Sequence, residues 1–369
     1  MLGQKKIVIK VGSSLVTNNG VGVDSARLIE WAGQIAILKQ QGYQVVLVSS
    51  GSIAQGLKQL NWSVRPKKIS ELQAAAAIGQ MGLAQKYQQI FKEFGIVTAQ
   101  ILLTHEDIRN RTRYLNARAT ILTLLKHDVV PIVNENDTVV TKEIKLGDND
   151  TLGALVTNLI DAETYVILTD QDGLYDADPR SNPGAVLIHD ISVTHPGLEQ
   201  MAGGAGTTIG TGGMLTKVKA ARRAASSGAT TIVASGRTPS VIVRILNGEK
   251  IGTVFQPDIS LLNAKQQWIK DQLIPAGIIT IDEGATKVLE THEKSLLPVG
   301  CVKVEGDFKR GDVVSIKDLH GTEVARGLIN YGSNDVFRIL GCTSYQIEDS
   351  LGYIFEEELV HRDNMVFVE

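Results

Sequence analysis

The stretch that decides the fold lies near the start of the chain, where residues 6–12 read KIVIKVG. The run is almost continuously apolar, as expected of a β-strand that is buried on both faces. Similar runs recur along the chain at QVVLVSS (44–50), IVTAQILL (96–103), DVVPIVNEND (128–137), YVILTDQDG (165–173) and TTIVASG (230–236). Because strands that alternate with helices form parallel sheets covered on both faces, we predict an α/β fold whose mainly parallel sheet is sandwiched by helices.

Two of the intervening helices carry start and stop signals. Asp24 and Ser25 predict the start of a helix that Gly42 ends. Ser70–Gln73 has the capping-box pattern and predicts the start of a second helix, which ends at Gly95.

The pattern changes after about residue 258. Residues 261–273 predict a helical connector, and short strand patterns separated by glycines and acidic residues follow. We therefore predict an α/β domain over residues 1–258, a linker over 259–274, and a small, mostly-β domain with a C-terminal tail over 275–369.

Composition narrows the class of protein. The net charge of −3 and the 43% hydrophobic content indicate a globular protein without a general affinity for nucleic acid or anionic membranes. Two cysteines are too few for a disulfide framework, and we expect two buried thiols. The N-terminal residues lack the pattern of a signal peptide, and no apolar run is long enough to span a bilayer, so we expect a cytoplasmic location.

Ligands of such sheets bind at the carboxyl ends of the strands, where several polar side chains collect. Lys10 lies inside the first apolar run and precedes Gly12-Ser13-Ser14. A buried lysine without an anion is costly, so Lys10 either meets a phosphate here or extends to solvent as an edge residue. The segment Ser49–Ser52 follows the second run and permits close approach of a ligand, although it also fits an ordinary turn.

Amide and carboxylate side chains cluster after the fourth run. They are Asn134, Asn136, Asp137, Asp148, Asn149 and Asp150. Such groups can hold the ammonium and carboxylate ends of an amino acid or order lysines around a phosphate. Capping of a helix is the alternative interpretation of residues 148–150, but it explains one of the three. Thr169 and Asp170, after the fifth run, fit either a nucleotide pocket or a simple acidic turn.

Residues 209–221 read IGTGGMLTKVKAA, a glycine loop that leads into a helical pattern. The loop presents backbone N–H groups and the positive end of a helix dipole to an anion. Lys217 in the first turn opposes that dipole, which indicates a negative partner; a mobile loop without a ligand is the alternative. Lys10 and Lys217 together suit phosphoryl transfer, in which catalysis is mostly positioning and stabilisation of negative charge.

Six segments, in this order, resemble the glutamate-phosphorylating members of the amino acid kinase family: IKVGSSLVT, VLVSSGSIAQG, PIVNENDTV, IKLGDNDTLGAL, LTDQDGLYDADPR and GTGGMLTKVKAA. The part from about Pro275 to Phe355 resembles a PUA domain. The resemblance implies transfer of a phosphoryl group from ATP, with Mg²⁺ carried by the nucleotide, to the γ-carboxylate of L-glutamate in the first step of proline biosynthesis. It also implies feedback inhibition by proline, set in part by the segment 104–118 with Asp107, Arg109, Arg111 and Arg113.

The same resemblance assigns roles to individual residues. The catalytic residues would be Lys10, Lys217 and Asp150. Glutamate would be bound by Ser50, Asp137, Asn149, Asn134 and Asp148. ATP would be bound by Lys10, Thr169, Asp170, Thr211, Gly212, Gly213, Met214, Leu215, Thr216 and Lys217. The family further implies a homo-oligomer, a dimer or tetramer, and suggests glutamyl phosphate reductase as a partner.

Two alternative functions stay open. A kinase for another small acid, such as aspartate, acetylglutamate or carbamate, would use the same pair of lysines. An RNA-binding protein acting through the PUA-like part is the second, but basic residues there, such as Lys303 and Arg310, are balanced by acidic ones that include residues 356–358. We therefore expect neither a nucleic-acid nor a membrane partner.

Overall fold

The computed structural model describes residues 5–18, 22–140, 149–203, 213–258, 275–291 and 294–367. The strands of the first sheet are β1 (Lys6–Val11), β2 (Gln44–Ser49), β3 (Thr98–Leu103), β4 (Val130–Glu135), β5 (Thr164–Thr169), β6 (Asp190–Ser192), β7 (Thr230–Ser235) and β8 (Thr253–Gln256). They lie in the order β3-β4-β2-β1-β5-β7-β8-β6, and every neighbouring pair is parallel except β7 and β8. The mainly parallel sheet predicted from the sequence is confirmed.

Position in the sheet explains the strand patterns. β1 lies between β2 and β5 in the middle of the sheet, and every residue of β1 after Lys6 is buried. An apolar run is therefore required on both faces of this strand. β3 lies at one edge of the sheet, and most of its residues are partly or fully exposed.

The helices described in the first part of the chain are α1 (Ser13–Val16), α2 (Ser25–Gln40), α3 (Ser52–Gln59), α4 (Ile69–Glu93), α5 (His105–Arg109), α6 (Arg111–Lys126), α7 (Asn149–Leu159), α8 (Leu198–Met201), α9 (Met214–Ala225) and α10 (Val241–Leu246). The predicted start of α2 is confirmed, since the Asp24 side chain accepts a hydrogen bond from the backbone N–H of Arg27 at 3.1 Å. Trp31 on α2 is one of the largest fully buried side chains and belongs to the core beneath this helix.

The capping-box prediction at Ser70 is wrong. α4 begins one residue earlier, at Ile69, and its N-cap Lys68 makes no side-chain capping bond. Ile69 packs against the buried cluster that contains Ile53 and Leu72. The first turn of α4 is thus accompanied by apolar packing of a partly buried residue and has no polar side-chain cap.

The second sheet contains β9 (Gly277–Ile281), β10 (Cys301–Gly306), β11 (Val313–Lys317), β12 (Glu323–Leu328) and β13 (Met365–Phe367), in the order β10-β9-β11-β12-β13. Around it the chain forms α11 (Glu283–Glu290), α12 (Ser333–Ile339) and α13 (Ile347–Leu351), none of which the sequence predicted. These elements share a core of their own that includes Ile279, Tyr331 and Val336. Cys301 is buried and Cys342 half-buried, and both are free thiols.

The chain divides into two compact units. One contains the first sheet, and the other contains the second sheet together with residues 109–116. The helical connector predicted at 261–273 lies outside the described residues. Among the helices that the structure describes, none is both long and apolar enough to cross a membrane.

Candidate active site

A cavity of about 370 Å³ opens at the carboxyl ends of four neighbouring parallel strands, β4, β2, β1 and β5. Each strand delivers polar groups to it from its last residues or from the loop that follows. The residues that line it are Lys10, Gly12, Ser13, Ser14, Ser50, Gly51, Ser52, Ile53, Ala54, Arg65, Asn134, Glu135, Asp137, Asn149, Thr169, Asp170 and Lys217. Such a position is where open parallel sheets bind their ligands.

Two lysines in this cavity share one carboxylate. Lys10 comes from β1 and forms an ion pair with Oδ1 of Asp150, which lies in the first turn of α7. Lys217 comes from the first turn of α9, and its Nζ lies 3.1 Å from the other oxygen, Oδ2. The three side chains are 7%, 1% and 3% exposed for Lys10, Asp150 and Lys217. Asp150 is thus the anion that the sequence required near both lysines.

The charges of this cluster are set by burial and by each other. Burial alone would raise the pKa of Asp150, but the two ammonium groups outweigh it and hold the pKa below its usual range. Burial lowers the pKa of Lys217, and the charge of Lys10 lowers it further, while Asp150 partly offsets both effects. Asp150 is therefore ionised at neutral pH and holds two cations at the edge of the cavity.

A network of amides stands at the ends of β2 and β4. Nδ2 of Asn149 lies 2.8 Å from the Ser49 carbonyl oxygen, 2.9 Å from Oγ of Ser50 and 2.7 Å from Oδ1 of Asn134. Oδ1 of Asn134 also accepts from the backbone N–H of Glu135 at 2.9 Å, which fixes the orientation of that amide. The Asn134 Nδ2 then donates to Oε1 of Gln80 at 2.6 Å. With Oγ of Ser50 accepting from Asn149, its hydroxyl hydrogen is available to a ligand carboxylate.

Asp137 lies beyond the end of β4 and is half-buried. Its Oδ2 accepts a hydrogen bond from Oγ of Ser52 at 2.9 Å. Burial raises the pKa of Asp137 to about 6, the charge of Glu135 raises it as well, and Ser52 and Arg65 act in the opposite direction. This carboxylate is ready to receive a cationic group, because an ammonium would relieve the cost of its burial.

Known proteins match the chain along most of its length. The model of the amino acid kinase family matches residues 5–235, and that of the PUA domain matches residues 277–351. The chain belongs to the amino acid kinase family. It is 58% identical to a glutamate 5-kinase of Chromobacterium violaceum, covering 98% of this chain and 97% of the relative. It is 56% identical to the glutamate 5-kinase of Methylobacillus flagellatus over 100% and 99% of the two chains, and 58% identical to that of Bordetella petrii over 98% and 96%.

In this amino acid kinase, the structure gathers many of the predicted site residues in one place. Those that line the cavity are Lys10, Ser50, Asn134, Asp137, Asn149, Thr169, Asp170 and Lys217. Asp150 lies directly behind the two lysines. Asp148, Thr211 and Gly212 lie outside the described residues. The roles of all these residues stay predictions.

The rest of the predicted nucleotide segment stands beside the cavity instead of lining it. Gly213 is the N-cap of α9, and Met214, Leu215 and Thr216 form its first turn together with Lys217. Thr216 joins the charged cluster, since its Oγ1 lies 3.1 Å from Oδ2 of Asp150. Thr216 therefore links the start of α9 to the carboxylate that holds both lysines.

The segment that follows β1 is held to the sheet at Gly12. The backbone N–H of Gly12 is not available to a ligand, because it donates to the carbonyl oxygen of Leu168 at 3.1 Å. Gly12 instead serves as the N-cap of α1, and Ser13 and Ser14 form the first turn of this short helix. The hydrogen bond between Gly12 and Leu168 ties the end of β1 to β5 at the floor of the cavity.

Sequence reasoning missed several cavity residues. Glu135 was inside a quoted segment but received no role, and it lines the cavity. Its Oε1 lies 3.4 Å from Nδ1 of His105. Arg65 lies between α3 and α4, in a stretch without any motif. Gln80 acts one step behind the cavity through Asn134. A charged residue just after an apolar run was a usable signal for Glu135, whereas no local pattern marks Arg65 or Gln80.

Proposed function

We propose that this protein transfers the γ-phosphoryl group of ATP to the γ-carboxylate of L-glutamate, giving ADP and L-glutamyl 5-phosphate, the first step of proline biosynthesis. The observation that carries the proposal is the pair of lysines held by one buried carboxylate at the edge of a polar cavity. The high identity to glutamate 5-kinases along the whole chain supports the choice of substrate.

In the reaction, one oxygen of the glutamate γ-carboxylate forms a bond to the γ-phosphorus as the bond between that phosphorus and the bridging oxygen of ADP breaks. The electron pair of the broken bond stays with ADP. The nucleophile is already an anion, so no residue has to remove a proton. Lys10 and Lys217 stabilise the negative charge that spreads over the transferred group, and Asp150 positions both ammonium groups.

The polar groups at the ends of β2 and β4 support a glutamate-binding site there. Asn134, Asn149 and Ser50 form one connected network, in which the Ser50 hydroxyl and the remaining amide groups can meet the substrate. Asp137 would receive the α-ammonium group. We assign Asp148 to the same subsite on the family resemblance.

ATP binding is assigned to the other side of the cavity. Thr169 and Asp170 at the end of β5 line it, and Oγ1 of Thr169 donates to Oδ1 of Asp170 at 3.1 Å. The segment 211–217 would bind the phosphates. Among the described residues no group of three or more His, Cys, Asp or Glu side chains is arranged to hold a metal. On the family resemblance, Mg²⁺ would be carried by the phosphate oxygens of the nucleotide, where the ion would neutralise phosphate charge.

Further parts of the proposal rest on the family resemblance. Proline would inhibit by occupying the glutamate pocket, with the charged segment 104–118 contributing to the effect. The protein would act in the cytoplasm as a homodimer or homotetramer, would deliver its labile product to glutamyl phosphate reductase, and would divide into domains at residues 258 and 275. Inhibition is tested by adding proline up to millimolar levels at limiting glutamate; unchanged activity would remove that part of the proposal.

The reaction itself is tested by trapping the acyl phosphate. The protein is incubated with ATP, Mg²⁺ and hydroxylamine, and with glutamate or aspartate, beside a Lys217→Ala variant. We expect glutamyl hydroxamate from the wild type, little from aspartate, and a loss of 10²-fold or more in the variant, the order found when one electrostatic donor is removed. Equal rates with aspartate would support a kinase for another small acid, and no product from either acid would refute the proposal.

A further inference from the structure

The cavity is electrostatically divided along the sheet. Lys10 and Lys217, with Asp150 between them, mark the side of β1 and β5. Two strand positions away stand Glu135, the last residue of β4, and Asp137, just beyond it. Adjacent strands lie about 4.8 Å apart, so the two groups are separated by roughly 10 Å across the floor of the cavity.

One further cation lines the acidic side. Arg65 lies in the segment between α3 and α4, and its charge acts on Asp137 by lowering the pKa that burial raises. Among the described residues, Arg65 has no ion pair within 4 Å and no hydrogen-bond partner for its guanidinium. An arginine at a cavity wall with its five donors uncommitted is ready for an anionic ligand.

The charges on this side match the head group of an α-amino acid. The two carboxylates complement an α-ammonium group, and Arg65 complements an α-carboxylate. With the γ-carboxylate directed toward Lys10 and Lys217, the head group would reach the β4 side of the cavity. Glu135 and Asp137 alone would repel the α-carboxylate, so a cation is needed where the head group binds.

We propose that Arg65 binds the α-carboxylate of the amino-acid substrate and thereby helps to select a free α-amino acid over acids that lack this group. This assignment rests on the proposed glutamate kinase activity. A planar guanidinium can meet a carboxylate with two parallel hydrogen bonds, which gives direction as well as charge.

The neighbouring basic residues do not share the position. Lys67 and Lys68 belong to the same segment and, like Arg65, are exposed, but they do not line the cavity. Nζ of Lys68 lies 3.8 Å from Oε1 of Glu71 on the adjoining helix. Lys67 therefore provides a matched control, since its replacement removes the same charge from the same segment without touching the cavity.

The test pairs a change in the enzyme with a change in the substrate. The kcat/KM for hydroxamate formation is measured for the wild type, Arg65→Gln and Lys67→Gln, each with L-glutamate and with its 1-amide, which keeps the γ-carboxylate but removes the α-carboxylate charge. For the wild type we expect the amide to be at least about tenfold poorer, the order of a lost charge-assisted hydrogen bond. Arg65→Gln should lose about as much with glutamate itself, yet show less than about a twofold further loss with the amide.

Lys67→Gln should behave as the wild type with both substrates, and the KM for ATP should stay within about twofold in every variant because the nucleotide side is unchanged. An Arg65→Gln enzyme that uses glutamate as well as the wild type, or one that shows the full amide penalty, would overturn the assignment. If the wild type forms no glutamyl hydroxamate at all, the proposed function fails instead, so the two failures are distinguishable.

Discussion

Replacing Asp150 with asparagine should separate the electrostatic role of this residue from its shape. The amide keeps an oxygen for the hydroxyl of Thr216, which lies 3.1 Å from Oδ2, so the main loss is the negative charge. Lys10 and Lys217 would then be two buried ammonium groups without the anion between them. Each had been stabilised by the same carboxylate, and the remaining charges repel one another.

The expected loss of unfolding free energy in Asp150→Asn follows from the burial of Asp150. Asp150 is 1% exposed, and removing one partner of a buried ion pair costs about 3–5 kcal/mol of unfolding free energy. Lys217 can limit that cost by releasing its proton, because burial already lowers its pKa. We therefore expect the lower figure, about 3 kcal/mol, near pH 7. At roughly 2 °C per kcal/mol, the lower end of the range for domains of about 150–250 residues, the Tm should fall by about 6 °C.

The assay is thermal unfolding of three variants beside the wild type. Lys217→Met removes one cation but leaves the pair of Lys10 and Asp150, so it should lose less stability than Asp150→Asn although both should abolish phosphoryl transfer. Asp128→Asn is the matched control, because Asp128 contacts Lys39 at 2.5 Å but is 87% exposed, where ion pairs contribute about 0–1 kcal/mol. A Tm of Asp150→Asn within about 2 °C of the wild-type Tm would refute the reasoning. A Tm of Lys217→Met below that of Asp150→Asn would refute it as well.

Three further predictions concern the glutamate side of the cavity. The kcat/KM for glutamate should rise with pH through about 6, the pKa of Asp137, because only the carboxylate attracts the α-ammonium group; in Asp137→Asn this step should vanish. Gly79→Ala should cost about 1–3 kcal/mol of stability and raise the KM for glutamate, since the new Cβ would lie 1.9 Å from the carbonyl oxygen of Ser52 and displace α3. Gln80→Met should raise the KM for glutamate about tenfold, with kcat and the KM for ATP unchanged, because Asn134 loses its acceptor.

Each of these has a direct check. The raised pKa of Asp137 means that the folded state binds the carboxyl proton more tightly than the unfolded state does. The stabilising effect of this proton is lost as pH rises through about 6. Asp137→Asn should therefore be at least as stable as the wild type at pH 8, although it should be less active. Gly82→Ala should be tolerated, since its Cβ would come close only to the flexible end of the Gln59 side chain, with Gln55 at an ordinary van der Waals distance. Gln73→Met should leave the KM unchanged, because Gln73 bonds the carbonyl of Val140 instead of a cavity residue. Equal effects in variant and control would contradict the predictions.

The central strands could be predicted from sequence because a parallel strand buried on both faces needs a contiguous apolar run. β1, β2 and β7 accordingly begin and end within one residue of the quoted segments, whereas β5 begins one residue before its segment and ends at Thr169, before the acidic residues of that segment. α3, by contrast, was not predicted from the sequence. It forms because Gly56 lets it approach α4 closely: a Cβ at Gly56 would lie 1.7 Å from the Ala75 carbonyl oxygen. That contact depends on another helix, which no local pattern reveals.

The charged cluster could be anticipated only in part. A lysine in a buried strand and a lysine opposing a helix dipole both indicate an anion, but Lys217 and Asp150 are 67 positions apart in the chain. Spacing therefore cannot say that one carboxylate serves both lysines. Arg65 carries even less signal, since an exposed arginine between two helices is typical of a solvated surface. Its meaning comes from the acids that the fold places across from it.

The second glycine of the segment GDNDTLGAL, Gly153, illustrates how the fold fixes this chemistry. Gly153 lies in α7, where loop flexibility is not needed, and a Cβ there would lie 2.2 Å from the hydroxyl oxygen of Tyr165. That hydroxyl donates to the backbone carbonyl oxygen of Asp150 at 2.8 Å, and Tyr165 itself is fully buried in β5. The glycine thus makes room for the tyrosine that anchors the first turn of α7 to the sheet. A carboxylate that must hold two repelling cations in place needs such an anchored backbone, because a mobile one would let the ammonium groups separate before the phosphoryl group arrives.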